Sequence, residues 1–166
     1  YRNNRTRRQS ADAFPAFKHN PMSKAKCIKC GQSAIRPYAR AGRTIRYRNI
    51  AALLVPIDFP IATCGHCGSE YFDDAIANEL EPILRLAYDA ELKQRAQAAI
   101  SLLSVRITQR RLEQLLGCSQ GYLSKLRTQG GQPSAILVSL LVLLSAEPGR
   151  LLELERFWSL STAKPV

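Results

Sequence analysis

The sequence of 166 residues has no apolar run long enough for a bilayer. Its longest, Ala135 to Ala146, spans twelve positions and is interrupted by Ser139 and Ser145, whereas a crossing helix takes about 20 apolar residues. No transmembrane helix is therefore expected. No apolar signal core lies before Ala25, which argues against a secretory leader. Acidic residues are few, 13 Asp and Glu against 24 Lys and Arg, giving a formal charge of +11 and a pI near 9.9. A balance this basic points to a polyanionic partner and says nothing about fold. Disorder along most of the chain is excluded, because 46% of residues are hydrophobic and only 22% charged. Methionine occurs once, at Met22.

What is there begins with five cysteines. Four form two Cys-x-x-Cys pairs, Cys27/Cys30 and Cys64/Cys67, and Cys118 stands apart. An odd count without a signal peptide does not suit a secreted disulfide scaffold, so a cytoplasmic location is expected. Each pair is followed by glycine, Gly31 and Gly68. The two-residue gap lets both sulfurs face one ion, and the glycine lets the chain turn beneath it. Two such knuckles supply four thiolates, so Cys27, Cys30, Cys64 and Cys67 are expected to hold one structural Zn2+. With all four positions filled there is no open place for substrate, and no enzyme activity is expected. Between the pairs, Arg43–Tyr47 alternates polar and apolar and Leu53–Ile57 is aliphatic. A hairpin there is expected to bring the pairs together.

Cys64-Gly-His-Cys67 also reads as a redox tetrapeptide. That chemistry would require a helix starting at Cys64, which Gly68-Ser69 interrupts, and it leaves the other pair unexplained. His66 is expected at the exposed knuckle tip. Cys118 is expected to pack as a small apolar group, with a redox sensor as the lesser reading.

Charge divides the chain into blocks. Residues 1–21 hold five basic residues against one acidic and show no helical or strand period. They read as a leader outside the fold, with Met22 as a natural start, or alternatively as a basic arm for nucleic acid. Residues 22–72, the expected zinc domain, hold eight basic against two acidic. Residues 73–91 read as an acidic helical connector, capped by Asp73 or Asp74, with Ile76, Leu80, Ile83, Leu84 and Ala87 on one face. Pro82 is expected to kink or restart it.

Residues 92–166 read as an all-α domain of five helices. The first spans about Leu92 to Leu103. Thr108 caps a second, Gln109 to Leu116, which Gly117 ends. Ser119 is expected to cap a third, Gln120 to Arg127, with Leu123 and Leu126 inward. Ser134 caps a fourth, whose Leu137, Leu140, Leu141 and Leu144 read as core, and Pro148 opens a fifth. Leu151, Leu152, Leu154, Phe157 and Trp158 exceed what so small a domain readily buries, and so read as a dimer interface. The fold class expected is α+β: a small zinc-knuckle β-hairpin domain followed by a five-helix helix-turn-helix domain.

The stretch from Ile107 through Gln109, Gly117-Cys118-Ser119, Leu123-Ser124 and Gly131-Gln-Pro-Ser134 resembles the Cro/C1 (XRE) helix-turn-helix family over about residues 92–145. Arg127 departs from it, since many members have Glu there. Together with the cysteine knuckles, the chain from Met22 resembles the MqsA-type antitoxins with a YgiT-type zinc finger. The resemblance implies a zinc domain that binds a toxin protein, and a C-terminal domain that dimerises on a palindromic operator in double-stranded DNA and represses its own operon. It further implies that Gln109 meets a phosphate and that Gln120 pairs with adenine. Ser119 and Gly121 would lie at the groove, Ser124 and Lys125 would touch base edges or phosphate, and Arg110 and Arg127 would hold the backbone. Tyr122 would stack on sugar or a thymine methyl, or else pack under the turn. Two other readings stay open: a zinc-stabilised regulator or protein-interaction adaptor without a toxin, and, more remotely, a thiol oxidoreductase using Cys64 and Cys67.

Overall fold

A computed structural model describes residues 25–128 and 131–160, and the expectation about 1–21 lies outside them. The chain is α+β: a small antiparallel β region and then five helices. In order these are β1 (Ile35–Tyr38), β2 (Thr44–Tyr47), β3 (Ile50–Leu54), β4 (Ile61–Cys64), β5 (Glu70–Tyr71), α1 (Asp74–Leu103), α2 (Gln109–Leu115), α3 (Tyr122–Thr128), α4 (Ala135–Ala146) and α5 (Arg150–Leu160). Two compact units result. Among the described residues, one holds 25–40 together with Asp58–Asp73, and the other holds Ala41–Ile57 together with the described residues from Asp74 onward.

In the first unit β4 lies between β1 and β5, antiparallel to both. The register sets Ile35 opposite Cys64 and Thr63 opposite Glu70. Ile35, Phe59 and Ile61 are buried. An Arg40–Glu70 ion pair of 3.4 Å closes one side of a groove of about 450 Å³ whose wall includes Arg36, Tyr38 and Thr63.

The β2–β3 hairpin belongs to the second unit, and this corrects the expectation that it joins the cysteine pairs. Its strands are shifted from the expected spans because Pro56 ends the aliphatic run early as a strand former. The hairpin docks on α1 instead. The Tyr47 hydroxyl donates to Glu81 at 2.7 Å, and the Tyr88 hydroxyl donates to Asn49 at 2.7 Å. The two rings meet edge to face at 5.6 Å. Arg48, at the turn with φ of 51°, lays its guanidinium over both rings at 5.2 and 5.0 Å. A left-handed non-glycine residue costs roughly 1–2 kcal/mol, which these contacts offset.

The expected connector and first helix are one element. α1 runs unbroken for 30 residues through Pro82, a length of about 45 Å. Proline removes the partner of the Asn78 carbonyl, but Asn78 is exposed and water can take that bond. Burial of Leu80, Leu84 and Tyr88 on either side favours continuity. Farther along, Leu92, Ala96, Ala99, Ile100 and Leu103 form the stripe against which α3 and α4 pack. The α4 core is Val138, Leu141 and Leu144, with Leu137 and Leu140 half-buried. Thr108 and Ser134 cap α2 and α4 through the Arg111 and Leu137 amides. Two polar ties hold α5 on α2: Arg111 to Glu155 at 3.0 Å, and the Trp158 indole N–H to the Leu115 carbonyl at 2.9 Å. No single helix among the described residues is long and apolar enough to cross a membrane.

Leu141 is fully buried and Leu86 is largely exposed. Leu141→Ala is expected to cost about 2–5 kcal/mol in denaturant unfolding, while Leu86→Ala stays within about 0.5 kcal/mol of the parent.

Candidate metal centre and candidate nucleic-acid interface

The two knuckles fold alike. In each, the glycine N–H returns to the carbonyl of the first cysteine: Gly31 to Cys27 at 2.7 Å and Gly68 to Cys64 at 2.8 Å. Both glycines sit at positive φ, 73° and 71°, where a side chain would be strained. The first-cysteine amides are also spent alike, Cys27 on the Gln32 carbonyl and Cys64 on that of Ser69. Antiparallel pairing of β1 with β4 carries one knuckle to the other, and the Gly65 amide bonds the Ala34 carbonyl at 2.8 Å.

The sulfurs of Cys27, Cys30, Cys64 and Cys67 all lie within 4.8 Å of one another, and among the described residues this is a group that could hold a metal ion. Cys27 and Cys67 approach to 3.5 Å and Cys30 and Cys64 to 3.6 Å. A tetrahedral ion with metal–sulfur bonds of about 2.3 Å sets its sulfurs about 3.8 Å apart, so the donor set fits. Cys27 and Cys64 are buried, Cys30 is half-buried and Cys67 is exposed. His66 is exposed at the knuckle. Cys64 ends a strand and is followed by a turn, not by the helix that redox chemistry at Cys64 and Cys67 would use.

Sequence reasoning missed Tyr71. Its hydroxyl donates to the Cys27 sulfur at 2.9 Å and accepts the Ile28 N–H at 3.2 Å. That bond holds the Cys27 thiol down at about 6. The Ser69 hydroxyl, 3.2 Å from Cys67, lowers that thiol in the same way. At Cys30 the Gln32 amide favours the thiolate, but burial and the neighbouring Cys27, Cys64 and Cys67 together push it up to about 12. Four clustered thiols cannot all ionise alone, and a bound dication removes that conflict.

In the second unit α2 and α3 are joined by a turn through Gly117, Cys118, Ser119, Gln120 and Gly121. α3 starts two residues later than expected. The Glu113 carboxylate of α2 accepts the amides of Gly121, just before α3, and of Leu123 in its first turn, while the Tyr122 amide bonds the Ser119 carbonyl. Sequence reasoning missed Glu113, whose partners Gly121 and Leu123 lie across the turn. Leu123 and Leu126 are buried beneath α3. Arg110, Ser119, Gln120, Lys125 and Arg127 are exposed, and Gln109, Gly121, Tyr122 and Ser124 are half-buried. The Arg127 carbonyl accepts from the Gln97 side chain at 3.3 Å, fastening the end of α3 to α1. Tyr122 lines a shallow groove of about 410 Å³ with Leu116, Ile136 and Leu140. Cys118 lies in the same groove, half-buried, its thiol raised by burial and then by Glu113. On α5, Leu152, Phe157 and Trp158 are exposed, Leu154 is half-buried, and Leu151 is inside the protomer core. α4 adds Ile136, Val142 and Leu143 to the exposed apolar surface.

Comparison with protein-family models and with curated proteins found no match.

Metal affinity is expected to fall with acid, because each ligand must lose its proton. The Tyr71 bond favours the Cys27 thiolate, so metal release followed with a chromogenic chelator should increase as the pH falls and its onset should respond to that bond. Tyr71→Phe removes the bond that favours the thiolate, which raises the Cys27 pKa. The release curve should move to higher pH, with affinity lower by about 10–100-fold.

Proposed function

We propose that the chain is a sequence-specific transcriptional repressor that binds double-stranded DNA as a homodimer in the cytoplasm and is stabilised by one structural zinc ion. The arrangement of α2, turn and α3 carries this reading. A short helix buries Leu123 and Leu126, and it exposes Lys125 and Arg127 beside Gln120. Read as a helix-turn-helix, α3 is the element that enters the major groove. Gln120 offers an amide whose donor and acceptor match adenine N7 and N6, a contact worth about 1–3 kcal/mol of discrimination. Lys125 stands at base edges or phosphate. Arg110 and Arg127 hold the backbone, as does the Gln109 amide at the start of α2. Ser119 and Gly121 let the turn approach the groove closely, and Tyr122 contributes its half-buried ring.

One such unit makes few contacts, so two copies on a palindromic site are expected. The exposed Leu152, Phe157 and Trp158, with Leu154 beside them, give the surface for pairing. Leu151 supports it from within.

Zinc is the ion that four thiolates at tetrahedral spacing favour. Its part is to hold the first unit folded, since so small a core gains much of its folding free energy from the metal. The order of modules further supports an antitoxin role, in which the zinc unit holds a toxin protein and the DNA unit represses the shared operon. This last step rests on the resemblance to MqsA-type antitoxins alone.

Incubation with a pool of random duplexes is the direct test. Enrichment of a palindrome supports the reading, and retention of no duplex refutes it. On the enriched duplex, Lys125→Ala should reduce the slope of log K against log salt by about 0.9. Phe157→Asp should sediment as a monomer and lose cooperative binding to the two half-sites.

A further inference from the structure

We infer that Glu113 is a positioning residue for DNA recognition, joining the Gln109 carboxamide to the amides that open α3. The inference rests on the DNA-binding reading above. Among the described residues Glu113 is, with Arg43, a buried charged side chain, at 3% exposure. Its Oε1 accepts from the Gln109 amide at 3.0 Å and from the Leu123 N–H at 3.0 Å. Its Oε2 accepts from the Gly121 N–H at 2.9 Å. Three donors converge on one group, so the site calls for a side chain that only accepts, and a carboxylate is that side chain. Burying such a charge is costly unless it is bonded in this way.

The donors are what give the residue a functional role. Gln109 is the residue placed at a phosphate, and Gly121 and Leu123 open the helix placed in the groove. One N–H of the Gln109 amide goes to Glu113, which aims the other outward. Gly121 bonds the carboxylate from a φ of 81°, a conformation that other residues adopt at a cost. Glu113 thus fixes the distance between backbone anchor and reading helix. It also occupies the Gly121 and Leu123 amides, which would otherwise be open to a phosphate at the start of α3. Its own negative charge, which a duplex would repel, is kept out of contact with it.

Glu113→Gln keeps the shape but sets an NH2 group against backbone N–H donors. The readout is the ratio of affinities for the duplex enriched by the parent protein and for a scrambled duplex. The ratio is expected to fall about tenfold, while the salt slope, which counts phosphates, stays unchanged. A merely structural role would lower the melting temperature and leave that ratio intact in the folded protein. Gln109→Ala added to Glu113→Gln should cost much less than the product of the two single losses, because the two residues act as a unit. If Glu113→Gln does not fold, Gly121→Ala decides by the same ratio. A Cβ at that position meets nothing within 4 Å, so only the backbone conformation that delivers its N–H to Glu113 is disturbed. An unchanged ratio in the folded variant overturns the inference. Failure of the parent protein to prefer any duplex overturns the DNA-binding reading instead.

Discussion

A helix of 30 residues with an apolar stripe along its length has to cover that stripe. The architecture of the second unit follows from this constraint. Near its start, Leu80, Leu84 and Tyr88 draw in a hairpin whose inward residues are Tyr47, Ile50 and Leu53. Toward its end, Ala96, Ala99, Ile100 and Leu103 draw in α3 and α4. Alanines on the helix let neighbours approach closely, and the leucines opposite fill the gap. α3 is short and contributes only Leu123 and Leu126 to the core. It holds its place because its neighbours leave it one way to pack.

The first unit meets the same problem with fewer apolar residues. Its strands are four, four and two residues long, too little sheet to stand alone. Beside this small core lie four clustered sulfurs, a donor set that fits a metal ion. The Tyr71 hydroxyl ties the cysteine cluster to the backbone of the facing knuckle, since it serves Cys27 and Ile28 together. A dication held by the four thiols would therefore join strands that have little else between them.

The cysteine cluster was legible because its signal is local, two pairs with equal gaps and equal trailing glycines. The caps at Thr108 and Ser134 were legible for the same reason. The hairpin was visible as alternation, but alternation says only that one face is covered, not by which element, and here α1 covers it. Pro82 suggested a break because proline weakens a helix locally; the buried residues on both sides weigh more. Tyr71 and Glu113 were not legible. The partners of Tyr71 lie 44 and 43 residues away, and those of Glu113 in α3 lie eight and ten residues away across a turn. Nothing in the spacing of a single glutamate in an amphipathic helix shows that it points inward.

The chain contains a single tryptophan. Trp158 is about half exposed, and its indole N–H is bonded to the Leu115 carbonyl at the end of α2. Phe157 lies edge-on to it at 5.2 Å. Selectively excited tryptophan fluorescence of the native protein therefore originates from one spot, where α5 meets α2. Its emission wavelength is an unlabelled optical gauge of whether that seam is wet or dry, and it follows any event that opens or covers the seam in real time.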